Sequence, residues 1–104
     1  MNTKDRITEY CYKIASVQKR PAMTYAEYGR RFARIVVEDG SHRHVHAFVD
    51  VTNGDVIKAA GWKAPQRGVN GLAVRFNLLD DYSRERGYSK IDPYGGYLYE
   101  GVLA

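Results

Sequence analysis

Residues 43–52, RHVHAFVDVT, alternate polar and apolar side chains almost one for one, a pattern that suits a β-strand and little else. On such a strand Val45, Ala47, Val49 and Val51 project to one side and His44, His46, Phe48 and Asp50 to the other. Turn signals bound the run: Gly40-Ser41 before it and Asn53-Gly54 after it. An Asn-Gly pair between two β-rich runs predicts a tight hairpin, because a type I′ turn needs positive φ at both central residues. The preceding RRFARIVVED is β-branched at Ile35, Val36 and Val37, and DVIKAA follows the turn. Together these segments predict an antiparallel meander at residues 30–60.

One face of that meander needs a cover, and the N-terminal segment supplies it. Ile7, Tyr10, Cys11, Ile14 and Val17 recur at spacings of three and four, which is the apolar stripe of a helix. Asn2 or Thr3 can cap it, Asp5 suits its first turn, and Pro21 ends it, placing the helix at residues 1–20. Thr24-Tyr-Ala-Glu27 has the form of a capping box, predicting a short helical turn before the sheet. The expected fold is therefore α+β: an N-terminal helix packed on a three- to four-stranded antiparallel sheet. Residues 72–104 are less legible. LAVRF and LLDDY suit strand or helix, residues 83–87 read as polar and exposed, and the Tyr/Gly-rich tail is expected either to cover a sheet edge with Tyr94, Tyr97 and Tyr99 or to add a short strand at residues 97–103. No repeat or linker interrupts the chain, so one domain is expected.

With 44% hydrophobic residues the chain can build a core, and it is too apolar to be disordered by composition. No run approaches the length of a membrane span, and the N-terminus carries charges where a signal peptide needs its apolar stretch. The single cysteine, Cys11, rules out an internal disulfide and fits a reducing cytoplasm; on the apolar stripe it reads as a core thiol. The formal charge of +4 is unevenly spread. Residues 1–39 hold eight Lys/Arg against five Asp/Glu, residues 40–71 four against two, and residues 72–104 four against five. The basic excess in the first two-thirds makes nucleic acid, or an acidic protein surface, a plausible partner.

Candidate chemistry is sparse. His42, His44 and His46 share a parity on the predicted strand, and His44 with His46 is a possible metal pair. A metal centre would need further ligands, and only carboxylates such as Asp50, Asp80, Asp81 or Asp92 remain to supply them. The serines lack a Gly-x-Ser-x-Gly elbow, and no phosphate-loop or dinucleotide fingerprint is present. Neither catalytic residues nor a cofactor are assigned. The stronger candidate is the glycine-bounded loop at residues 61–71, which presents Trp62, Lys63 and Arg67. A tryptophan offers a stacking surface, and cations beside free backbone N–H groups can hold a phosphate. Buried instead, Trp62 would plug the core. Arg30, Arg31 and Arg34 are the expected electrostatic support. Nine tyrosines, five of them from Tyr82 to Tyr99, add surface suited to a protein or to nucleic-acid bases.

The run FVDVTNGDVIKAAGWKAPQRGVNG resembles a segment of small bacteriophage and prophage proteins of unknown function, with aromatic-Val-Asp, Asn-Gly-Asp and Trp-Lys-x-Pro as its shared elements. The resemblance covers residues 48–71 and carries no activity. It implies a phage-encoded accessory protein in the cytoplasm of a bacterial host. The expectation is thus a non-catalytic binding protein that engages or inhibits a host nucleic-acid-handling protein, an anti-CRISPR-type inhibitor being one form. Direct nucleic-acid binding is the alternative, and a small metal-dependent enzyme using His44 and His46 the second alternative.

Overall fold

Ile7, Tyr10, Cys11 and Ile14 are buried along one side of helix α1, Thr3–Ser16, whose start is fixed by Asn2 Oδ1 accepting the Asp5 N–H at 2.8 Å. In the computed structural model, which describes residues 1–69 and 71–99, this stripe packs on an antiparallel sheet of five strands. The strands are β1 Met23–Tyr28, β2 Phe32–Asp39, β3 His42–Asp50, β4 Asp55–Ile57 and β7 Val74–Asn77, paired in that order. A small hairpin, β5 Arg67–Gly68 with β6 Gly71–Leu72, stands apart from the sheet. Helix α2 is Asp81–Ser89, and Gly96–Leu98 form a 3-10 turn. The α+β architecture follows the expectation, with two outer strands more than the central meander. No helix among the described residues is long and apolar enough to cross a membrane.

The outer strand β1 replaces the expected helical turn at Thr24–Glu27. Its register against β2, from Met23 opposite Glu38 to Tyr28 opposite Ala33, satisfies main-chain groups that a single helical turn would leave open. The Asn53-Gly54 connection also differs from a two-residue turn. It is a loop of residues 51–54, closed by the Gly54 N–H donating to Asp50 O at 2.8 Å, and Asn53 keeps negative φ while Gly54 alone lies at +82°. Asp50 organises the loop by accepting from the Thr52 N–H and hydroxyl.

A register shift between Ile35 and Val36 breaks the simple alternation of β3. Ala47 and Val49 face α1 with Ala33 and Ile35, whereas Val45, opposite Val36, takes the other side. The three histidines do not form one open surface: His42 and His44 are exposed and His46 is buried. His46 Nε2 meets Tyr97 Oη at 2.8 Å, and Tyr97 Oη shares a 2.6 Å hydrogen bond with Tyr10 Oη, tying β3, the C-terminal segment and α1 together. Tyr97 belongs to the 3-10 turn in place of the expected strand, and the rest of that expectation, residues 100–103, lies outside the described residues, as does Asn70.

Residues 83–87, expected to be exposed, belong to α2. Asp80 caps the helix at the Ser83 N–H, and Arg84 and Gly87 are buried. Gly87 makes the packing possible, since a Cβ there would stand 2.4 Å from the Phe76 ring. Tyr88 stacks on Tyr10 at 6.1 Å, carrying the aromatic cluster across to α1.

Gly87→Ala is expected to destabilise the protein by about 1–3 kcal/mol in urea denaturation, although alanine is the better helix former, because the overpacked Phe76 ring must shift; a gain in stability would contradict this packing. A second expectation concerns pH. Burial, with a smaller contribution from His44, lowers the His46 imidazole to about 4. The unfolded chain therefore takes up a proton near pH 6.5 that the folded chain refuses until about pH 4. Stability attributable to His46 is full above that window and falls by about 3 kcal/mol as the pH drops through it. Denaturation midpoints of His46→Gln should lose this component of the acid slope.

Candidate functional site

The face of the sheet turned away from α1 is not open to solvent, as an alternating strand would leave it. Val36, Phe48 and Ile57 are buried there, outside the core cluster that includes α1. Two successive hairpins follow β4, and the first of them passes over this face. The first is closed by Lys58 and Gln66 (main-chain N–H of Gln66 to Lys58 O at 2.8 Å) and by the Ala59–Pro65 bridge, with Trp62 and Lys63 near its tip. The second is β5–β6, which carries Arg67, exposed. What reads as one glycine-rich loop in the sequence is thus divided, and Lys63 and Arg67 belong to different hairpins.

Trp62 is half-buried and engaged within the molecule. Its ring lies 4.6 Å from the Arg34 guanidinium and 4.8 Å from that of Arg43, and its carbonyl accepts from Arg34 Nε at 2.7 Å. Glu27 joins the two arginines, accepting from Arg34 Nη1 and Arg43 Nη2, each at 2.9 Å. Trp62 is therefore neither a free stacking platform nor a plug in the α1 core. It fastens the first hairpin to strands β2 and β3 through cation–π contacts, whose strength grows as the groups are desolvated.

That fastening shapes a cleft of about 270 Å³ lined by Glu27, Tyr28, Arg30, Arg31, Phe32, Arg34, Phe48, Lys63 and Pro65, among others. Arg30 and Arg31 come from the β1–β2 turn, Arg34 from β2 and Lys63 from the first hairpin. Residues far apart in sequence thus converge: Arg30, Arg31, Arg34 and Lys63 line the cleft and Trp62 braces it, while Arg67 stands outside its lining. Arg43, Glu27, Phe32 and Phe48 complete the arrangement but were not singled out from sequence. Their only signal is a parity shared with Arg34 on neighbouring strands, readable once the register is known.

Four cations against the single carboxylate of Glu27 leave the cleft strongly positive. Arg30 and Lys63 make no ion pair among the described residues, and Arg31 is paired with Asp50 from a largely exposed position, Nε to Oδ2 at 3.2 Å. Burial works to raise the Asp50 carboxyl, but hydrogen bonds from Thr52 and Arg31 outweigh it and hold the group below its ordinary value. Asp50 therefore stays charged and positions Arg31. Such an arrangement can hold an anion between guanidinium and ammonium groups, with the Phe32 side chain beside it. On the histidine strand, His46 Nε2 is engaged by Tyr97 and His44 is exposed; no group of three or more His, Cys, Asp or Glu side chains among the described residues is placed to hold a metal ion.

Fold and cleft define a small α+β domain with a cationic cleft on the sheet face opposite its first helix. Residues 2–100 match the model of a family of unknown function, DUF7717, and the chain belongs to that family. No curated protein and no solved structure matches it.

The clamp makes a measurable claim. In a double-mutant cycle of Trp62→Ala with Arg43→Ala, unfolding free energies are expected to show a coupling of about 0.5–2 kcal/mol, with Trp62→Ala alone costing about 1–3 kcal/mol. Additive effects would mean that the ring and the guanidinium do not support each other.

Proposed function

We propose that this protein is a non-catalytic binding module that holds a polyanion, foremost a single nucleic-acid strand, in the cleft between the β1–β2 turn and the Trp62 hairpin. The observation that carries the reading is the convergence of Arg30, Arg31, Arg34 and Lys63 on one cleft whose lining holds a single carboxylate. Glu27 is already shared between Arg34 and Arg43, so it holds the arginines in place more than it repels a phosphate. The cleft has aromatic walls at Phe32 and Phe48, which suits a strand whose bases are free to stack. The setting that the phage-protein resemblance suggests is the cytoplasm of an infected bacterium.

A second reading keeps the same fold but a different partner: a host protein that handles nucleic acid, held and inhibited through the exposed tyrosines. Tyr12, Tyr82, Tyr94 and Tyr99 are each more than half exposed, and large amphipathic rings on a surface favour protein interfaces.

Fluorescence anisotropy of labelled single-stranded and duplex oligonucleotides separates the two. If three or four phosphates are neutralised, affinity for a single strand should fall by about 20- to 50-fold between 50 and 200 mM salt. Arg30→Ala and Lys63→Ala, which break no ion pair among the described residues, should each weaken binding and flatten the salt slope by about 0.7. Absence of binding at the lower salt would overturn the nucleic-acid reading and favour the tyrosine surface.

A further inference from the structure

Strand β1 is an edge of the five-stranded sheet, and its main-chain hydrogen-bonding groups fall into two sets. The Gly29 N–H donates to Phe32 O at 2.8 Å, and the register runs without a shift from there to Met23 opposite Glu38. Antiparallel pairs alternate between bonded and non-bonded, so Glu27, Tyr25 and Met23 turn their N–H and C=O groups toward β2. The N–H and C=O groups of Thr24, Ala26 and Tyr28 consequently point outward along the free edge.

This edge lacks the usual protections. Residues 23–28 contain no proline, no lysine and no bulge, and their pairing with β2 is regular over the whole strand. Exposed apolar side chains gather beside it, with Met23 at 63% and Tyr12 at 73% exposure. Between β1 and α1 runs an open groove of about 280 Å³ whose lining includes Thr8, Tyr12, Thr24, Ala26 and Tyr28, with Lys4 Nζ over the Tyr28 ring at 5.6 Å. Within it Thr24 Oγ1 is buried and has no hydrogen-bond partner among the described residues.

We infer that β1 is a self-association edge, and that two copies of this chain join their sheets by antiparallel β1–β1 pairing about a twofold axis at Ala26. The sequence of the edge complements itself in this register. Ala26, whose side chain is the smallest on the strand, faces its own copy, and Thr24 faces Tyr28 of the second copy. Glu27, the one charged residue of the strand, faces Tyr25 of the second copy and not another Glu27, so no like charges stand opposed. All the outward groups of Thr24, Ala26 and Tyr28 then find partners. Tyr28 of the second copy projects onto the α1 side at Thr24, at the mouth of the groove that Thr24 lines. The other edge, β7, offers no comparable row, since it is short, flanked by α2 and crossed by the Arg75 bond to Leu98 O.

The axis of such a pair stands perpendicular to the sheet. Both α1 helices therefore lie on one side of the joined sheet and both cationic clefts on the other, where a single polyanion can meet them in succession. The inference does not rest on that use, and its test contains no nucleic acid.

Sedimentation equilibrium from about 1 µM to about 500 µM should show the mass rising from one chain to two. Ala26→Pro removes an outward N–H that the single chain does not use, so the variant should stay at one chain while retaining the far-ultraviolet signal of the fold. Should Ala26→Pro fail to fold, Thr24→Pro serves the same purpose. Amide exchange of the unaltered protein supplies an independent reading: the N–H groups of Thr24, Ala26 and Tyr28 should exchange freely at the lowest concentration and become protected as the mass doubles. A single-chain mass throughout overturns the inference and leaves the edge to an extended segment of another protein. A pair that survives in folded proline variants, or that leaves those three amides unprotected, overturns it as well.

Discussion

Arg34 is the side chain on which three otherwise separate pieces of this protein meet. Its Nε bonds the carbonyl of Trp62, its Nη1 bonds Glu27, and its guanidinium lies over the rings of Trp62 and Phe48. The site is half-buried, so these contacts are less screened than at an open surface and can hold a loop in place. Remove that guanidinium and the Trp62 hairpin keeps only the Arg43 guanidinium over its indole and the apolar patch of Val36, Phe48 and Ile57 to hold it on the sheet. The position of Lys63, and with it the shape of the cleft, depends on this fastening.

The two sides of the sheet thus have different jobs. The α1 side is a continuous core in which Ile7, Tyr10, Ile14, Ala33, Ile35, Val49 and Val56 are almost wholly excluded from water. Burial of each large side chain there contributes about 1.5–3 kcal/mol before entropy is counted. A polar thread runs through it, Tyr10 to Tyr97 to His46, with His46 Nδ1 left without a partner among the described residues. Burial raises both tyrosine hydroxyls well above their ordinary range, so the thread is uncharged near neutral pH. The opposite side has a smaller apolar floor and a roof of arginines and a tryptophan, tied down by Glu27 and Glu38. Stability resides chiefly in the first side, which leaves the second free to carry an excess of positive charge.

Much of the first side was legible in the sequence, because its signals are local. The spacing of Ile7, Tyr10, Cys11 and Ile14 identifies α1, and the alternation from Val45 to Val51 together with Ile35–Val37 identifies β2 and β3. Where local signals mislead, the cause is tertiary. Thr24 and Glu27 have the spacing of a capping box, but main-chain pairing with β2 outweighs it. Helix α2 has no apolar stripe to announce it; it is held by a glycine that admits Phe76, by Tyr88 stacked on Tyr10, and by its Asp80 cap. For the cleft, residue types were legible but their grouping was not. Trp62, Lys63, Arg30, Arg31 and Arg34 stand out as a basic and aromatic set, yet nothing local says that Trp62 is held between Arg34 and Arg43, or that Arg67 lies on a different hairpin. A one-residue shift of register at Ile35/Val36 turns Val45 away from α1 and sets His46 in the core, and no composition rule anticipates it.

The central claim is that the β1–β2 turn and the Trp62 hairpin form one anion-binding cleft. The most direct measurement is a titration of isotopically labelled protein with a short single-stranded oligonucleotide, followed by amide and indole resonances. The account predicts shifts concentrated at residues 27–34 and 62–65, including the Trp62 indole N–H, with α2 and the 3-10 turn unmoved. Shifts centred on α2 or on the exposed tyrosines, with residues 27–34 unaffected, would contradict it.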